Sequence, residues 1–190
     1  MQKMHKIAAS GFTLVEMLIT ITILGILAAA AIPLLSANDP QKLSAAAEET
    51  ANLLRFALSE AKRTGGYVLV DGFTTPGQLS LYISDVNANK PPTSGTSQIL
   101  DPLTKRAAVL ILNTSTFSDG TSLTPNFIAA FDGAVWTGLL IGPGLTQLQA
   151  CRNVTKPKGA LATGSGVLLS YGSQSVTVRI NEVTGLVTLP

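Results

Sequence analysis

Ser10-Gly11-Phe12-Thr13-Leu14-Val15-Glu16 joins a short basic leader to a long apolar run, and Glu16 is the only charge inside that run. A charged side chain in a bilayer interior costs about 2.5 kcal/mol or more unless it finds a partner, so an acid there marks a function. The run over residues 12–32 spans about 31 Å at a rise of about 1.5 Å per residue, which matches the hydrocarbon thickness of a membrane. Ahead of it stand Lys3, His5 and Lys6 with no acid, and the positive-inside bias then holds the N-terminus in the cytoplasm and sends the rest across.

An ordinary secretory signal would share the basic start, the apolar stretch and the small residues Ala28, Ala29, Ala30 and Ala31 before Pro33, which look like an A-x-A processing site. The length of the run, the acid within it and a Gly-Phe junction placed before the apolar stretch all speak against that reading. A plain signal anchor leaves Glu16 without a role.

Gly11-Phe12-Thr13-Leu14-Val15-Glu16 closely resembles the class III signal of type IV pilins and of the pseudopilins of type II secretion. The resemblance implies cutting by a prepilin peptidase between Gly11 and Phe12 on the cytoplasmic side, and N-methylation of the new Phe12 amine. The physics of the signal stands beside it. After cleavage the Phe12 amine is a cation at the edge of the apolar region, and Glu16 lies one helical turn deeper on the same face. Where helices pack with an axial offset, Glu16 of an incoming subunit neutralises the amine of its neighbour, so both charges are satisfied only in the assembly.

Gly25 lies within the run and Pro33 just beyond it, and both weaken helical continuity, Gly through backbone entropy and Pro through its missing donor. Both are also ordinary packing features of membrane helices. The resemblance implies a compliant helix at these two positions.

Ser36-Ala37-Asn38-Asp39-Pro40 then reads as a break and a fresh start, with Asp39 as N-cap and Pro40 in the first helical position. A second helix is expected over residues 40–64. Leu43, Ala47, Ala51, Leu54, Leu58 and Ala61 form its apolar stripe, Lys42, Glu48, Asn52, Arg55, Ser59, Lys62 and Arg63 its polar side, and Gly65-Gly66 its end. Whether Pro40 kinks one helix or separates two is open.

From Tyr67 onward short β-like runs alternate with Gly, Pro, Asn and Ser clusters, and strands are expected at 67–70, 79–84, 108–112, 127–131, 167–171, 175–180 and 186–189. Asp71-Gly72, Asp132-Gly133, Gly172-Ser173 and Thr184-Gly185 read as turns. The last three strands form an antiparallel meander, with Val176, Val178 and Ile180 on one face and Thr177 and Arg179 on the other. Residues 87–97 read as a flexible loop, and 142–166 lack firm periodicity. Helix first and strands after define an α+β chain.

The chemical inventory is thin. His5, the sole His, falls in the leader, and Cys151 is the sole Cys, so the processed chain has no disulfide within itself, no Cys/His metal cluster and no Ser-His-Asp set. No acid/base pair stands out, so the chain is expected to be no enzyme and to take no cofactor or metal. Cys151 beside Arg152 reads as an inert thiol, and Trp136 as a packing anchor beside a turn. Of the 13 basic residues, Lys3 and Lys6 leave with the leader, and the remaining 11 balance 11 acids. Arg152, Lys156 and Lys158 form a modest basic cluster that reads as a solvated loop.

The carboxyl end, Val178-Arg179-Ile180-Asn181-Glu182-Val183-Thr184-Gly185-Leu186-Val187, resembles the closing hairpin of GspH/FimT-like minor pilins. Some FimT-like members bind DNA through arginines just after this Thr-Gly turn, where this chain has Leu186 and Thr188, which speaks against nucleic acid as a partner.

The resemblance therefore implies a pilin-like α+β fold, a long N-terminal helix whose first half spans the membrane, packed on an antiparallel β-sheet head. Its expected parts are a leader over 1–11, an assembly helix over 12–33, an amphipathic second half over 34–66 and a periplasmic head over 67–190. The expected function is that of a minor pilin or pseudopilin in a type IV pilus or type II secretion pseudopilus. Its expected partners are other pilins, prepilin peptidase, the inner-membrane assembly platform and membrane lipid. The alternatives are a DNA-uptake minor pilin and a secreted binding protein with an ordinary signal peptide.

Overall fold

The apolar run folds as one helix, α1 (Leu14–Leu35), and a second helix, α2 (Asp39–Thr64), follows. The structure, a computed structural model, describes residues 13–35, 39–84, 98–142, 147–151 and 159–190, with backbone only for 30–35, Asp39 and Ser84. The chain divides into two compact units, Met1–Asn38 and Asp39–Pro190. The junction at 36–38, where one helix or two would be decided, lies outside the described residues.

In the second unit α2 buries Leu43, Ala46, Ala47, Ala51, Leu54, Ala57 and Ala61 against three strands, β1 (Tyr67–Asp71), β9 (Gly166–Tyr171) and β10 (Gln174–Ile180). The largely Ala face lets the helix axis approach the strands closely, as interior packing density requires. Two members of this face, Ala46 and Ala57, fall outside the expected stripe, and Leu58 is only half-buried. Thr50 is also buried there, its hydroxyl donating to the Ala46 carbonyl at 2.7 Å, so its polar atom is satisfied within the helix. Gly65, at φ 63, ends α2 in the left-handed conformation that Gly adopts without a Cβ penalty.

Among the described residues the strands form two antiparallel sheets. The six-stranded sheet has the order β3-β2-β1-β6-β7-β8, with β1 (Tyr67–Asp71), β2 (Gln78–Ser84), β3 (Val109–Ile111), β6 (Gly138–Ile141), β7 (Gln149–Cys151) and β8 (Gly159–Ala160). The five-stranded sheet has the order β11-β10-β9-β4-β5, with β4 (Ser122–Ile128), β5 (Val135–Trp136), β9 (Gly166–Tyr171), β10 (Gln174–Ile180) and β11 (Val187–Thr188). Helix on antiparallel sheets is the expected α+β arrangement, consistent with a pilin-like fold.

The closing meander β9-β10-β11 forms as expected, with Val178 paired to Val167 and Ile180 to Val187. Val178 and Ile180 are buried and Arg179 is exposed, as alternation demands. The strand expected at 127–131 instead starts at Ser122 and ends at Ile128. Pro125 suits this position because β5 pairs only Phe127 and Ile128, leaving that side of β4 open where Pro has no N–H to give. Its far end closes early because the Gly133 N–H bonds the Ala129 carbonyl at 2.9 Å, drawing residues 129–133 into the turn. The strand expected at 108–112 is cut to β3 because Leu112 enters a single 3₁₀ turn, Leu112–Thr114. β5, β6, β7 and β8 were not expected at all. The loop at 87–97 lies outside the described residues, as do 143–146 and 152–158.

Asp71-Gly72 is not a two-residue hairpin turn. Asp71 is the buried last residue of β1, and its Oδ1 accepts the Phe73 and Thr74 amides at 2.9 and 3.1 Å. Thr184-Gly185 ends the longer loop that joins β10 to β11, where the Gly185 N–H bonds the Asn181 carbonyl at 2.9 Å, and Gly185 has φ +71 with the Leu58 side chain 2.6 Å from where a Cβ would stand. Gly185→Ala should therefore cost about 2 kcal/mol in a thermal melt of the full chain, from backbone strain plus the shift forced on Leu58. A loss below about 0.5 kcal/mol, the range of ordinary surface changes, would contradict this contact.

Candidate assembly segment

The segment starts at Thr13, since Gly11 and Phe12 lie outside the described residues. Thr13 precedes the first helical residue and Glu16 stands three residues on, the spacing of a capping box. The geometry is reciprocal. The Glu16 N–H donates to Thr13 Oγ1 at 3.3 Å, and the Thr13 N–H donates to Glu16 Oε2 at 3.4 Å. Two helix-start donors are thereby satisfied by side chains. Both bonds are long and both residues exposed, so the Glu16 carboxylate keeps most of its accepting capacity for another donor. Its position in the first turn also sets its charge against the positive end of the helix dipole.

Thr13 was not singled out in the sequence, although Thr13-Leu14-Val15-Glu16 has the T-x-x-E signature before an apolar run. Further along, Thr20 and Thr22 donate their hydroxyls to the Met17 and Ile19 carbonyls, each at 2.8 Å. These polar atoms are satisfied inside the helix, which lets α1 present apolar surface on all sides. Leu14, Leu18, Ile21, Leu24, Ile26 and Leu27 are all exposed around it. A helix apolar all round needs an apolar surrounding, whether lipid or other helices. Among the described residues no helix is long and apolar enough to cross a membrane.

α1 runs without interruption through Gly25 and Pro33. A Cβ at Gly25 would meet nothing within 4 Å, so no contact within the chain requires Gly there. Pro33 cannot donate to the Ala29 carbonyl, so the ladder lacks one bond near its end.

On the second unit, a groove of about 530 Å³ runs between α2 and the closing hairpin, lined by Arg55, Leu58, Ser59, Lys62, Thr184, Gly185, Leu186 and Val187. Arg55 is held by the Asn52 side chain and the Val187 carbonyl, both at 3.4 Å. Leu186 is exposed and Thr188 lies in β11. The cluster Arg152, Lys156 and Lys158 lies outside the described residues. Cys151 sits half-buried in β7, its Sγ 3.9 Å from the Gln149 carbonyl. Trp136 is buried and meets Phe131 edge to face at 5.9 Å, the anchor beside a turn that the sequence indicates. Among the described residues no group of three His, Cys, Asp or Glu is placed to hold a metal ion.

Residues 8–32 match the family described as the prokaryotic N-terminal methylation motif. This is the type IV pilin-type signal, and it supports the pilin and pseudopilin class, in which a prepilin-peptidase-processed chain is anchored in a membrane and then assembled with other pilins into a fibre. That class is structural and not enzymatic. No curated protein and no solved structure matches the chain.

Proposed function

We propose that the chain is a minor pilin or pseudopilin, closest in kind to the GspH/FimT-like subunits, serving a type IV pilus or a type II secretion pseudopilus. Prepilin peptidase cuts between Gly11 and Phe12, and the Phe12 amine is methylated. The chain then crosses the inner membrane once, with its head in the periplasm, and the assembly platform passes it into the fibre. Glu16 is the docking charge, and Gly25 with Pro33 gives the helix compliance when it leaves lipid for the fibre.

The observation that carries this reading is the methylation motif coinciding with an apolar helix whose one acid is held at its first turn. In an assembled state the Phe12 amine of a neighbour is a stronger donor to Glu16 than the Thr13 amide, because it carries a full positive charge and so adds ion–ion attraction to the hydrogen bond, whereas the amide is neutral. The three residues thus supply a cation, an anion and a local cap that holds the anion until a neighbour arrives.

Mass spectrometry of the mature N-terminus tests the reading directly. The expected product starts at a methylated Phe12. A product starting near Ala31 or Ile32 would place the chain among ordinary secreted proteins.

A further inference from the structure

β10 is paired unequally on its two sides. Toward β9 its register runs from Gln174 to Arg179, but toward β11 only Arg179 and Ile180 have partners. The Ile180 N–H points to the β9 side, where it bonds the Ser165 carbonyl at 3.0 Å. By the alternation of an antiparallel ladder, the N–H and C=O groups of Ser175 and Thr177 then point away from β9, toward the open side. Among the described residues no backbone group hydrogen-bonds to them across that side, where Leu189 and Pro190 follow β11 along the rim of the adjoining groove.

Beside this open edge lies a groove of about 440 Å³ between the first half of α2 and the first half of β10. Leu43, Ala47, Val176 and Leu189 supply its apolar walls, and Glu48 stands among its lining residues. Glu48 is exposed and has no ion-pair or hydrogen-bond partner among the described residues. The volume lies within the range of about 300–1,000 Å³ in which proteins hold ligands. An open row of backbone donors and acceptors beside an apolar trough calls for an extended chain, in which main-chain bonds give affinity and alternate side chains fill the trough. The exposed acid at its rim adds a modest preference for a cation.

We infer that the open edge of β10 takes an extended segment of a neighbouring fibre subunit as an added strand, with its alternate apolar side chains in the groove and a Lys or Arg against Glu48. The identity of the partner as a fibre subunit rests on the function proposed above. A strand added here makes a contact between unlike surfaces of two heads, and contacts of that kind build an open filament where the rotation between successive subunits does not close a ring. It would complement the charge pairing at Glu16, which acts in a different part of the chain.

The test uses the purified full chain in detergent micelles with the peptide acetyl-Lys-Thr-Val-Thr-Val-Thr-amide as probe, read by amide hydrogen exchange. Exchange at Ser175 and Thr177 should slow by about tenfold or more at saturating peptide, since each new backbone bond protects one amide. Ser175→Pro removes an outward N–H without touching the β9 ladder, and should abolish the effect at Thr177. Glu48→Gln should weaken the peptide by about threefold, the scale of an exposed ion pair. A version methylated on its backbone nitrogens should do nothing. Unchanged exchange with the parent peptide, or equal slowing by the methylated one, overturns the inference. Slowed exchange in a chain whose Phe12 proves unmethylated upholds the edge site and sinks only the fibre assignment, whereas methylated Phe12 without slowed exchange sinks the edge site alone.

Discussion

Phe127→Ala should lower the stability of the folded chain by about 3–5 kcal/mol, which for a chain of this size moves the melting temperature down by about 8–16 °C. Among the described residues Phe127 is the largest side chain with essentially no exposure, and it lies in β4 opposite Trp136 of β5. β4 also borders β9, so the ring sits in the core cluster shared with Leu54 of α2 and Val167 of β9. Removing it takes away the transfer free energy of the ring and leaves a cavity that paired strands on two sides cannot collapse to fill. Phe117, 73% exposed, is the control, and its replacement by Ala should cost no more than about 0.5 kcal/mol. Near-ultraviolet dichroism during a thermal melt of the full chain would report both. A loss under about 1 kcal/mol at Phe127 would mean that the core is not packed around this ring.

The parts of the fold legible in the sequence are those whose periodicity is strong. α2 could be read because Ala and Leu recur every three or four residues for about five turns from Leu43 to Ala61, and the closing meander because Val176, Val178 and Ile180 alternate with polar residues between two clear turns. β4 was misplaced because Pro125 and Asn126 count against a strand, and only the pairing pattern shows that Pro125 faces an open side. β6 carries Gly-Leu-Leu-Ile, fully buried, with no alternation to mark it. A short run buried on both faces cannot be told from other buried segments by period alone. β7 and β8 are too short to carry a pattern, and their existence depends on partners distant in sequence.

For the assembly segment, the sequence showed the anomaly but not its local solution. A single acid in an apolar run is visible in one line, and it led to the pairing with a neighbour's amine. That the same carboxylate closes a capping box with Thr13 was also within reach, because the T-x-x-E spacing is local. The cost of an acid in lipid dominates the sequence signal, and the cap becomes visible only against the four unsatisfied N–H groups that open every helix.

Glu16→Gln is expected to reduce entry into fibres by about a hundredfold, which corresponds to about 3 kcal/mol of the penalty for leaving a desolvated charge without its partner. Gln is the informative replacement. A capping box accepts Gln in place of Glu, so this variant keeps the bond to the Thr13 amide and the start of α1 while removing the negative charge. If Glu16 served only to cap the helix, Glu16→Gln would assemble normally and Glu16→Ala would lose about 1 kcal/mol of helix stability, with modest loss of fibre. If the carboxylate pairs with a neighbour's Phe12 amine, Gln and Ala fail alike. Thr13→Ala separates the two roles from the other side. It removes the hydroxyl that accepts the Glu16 N–H, costs about 1 kcal/mol in cap energy, and leaves the charge free to pair, so its fibres should fall by no more than about fivefold. Immunoblots of sheared fibres against total subunit, with methylation of Phe12 followed in parallel, measure all three variants. Wild-type fibre levels for Glu16→Gln would remove charge pairing from the mechanism and leave Glu16 as a helix cap.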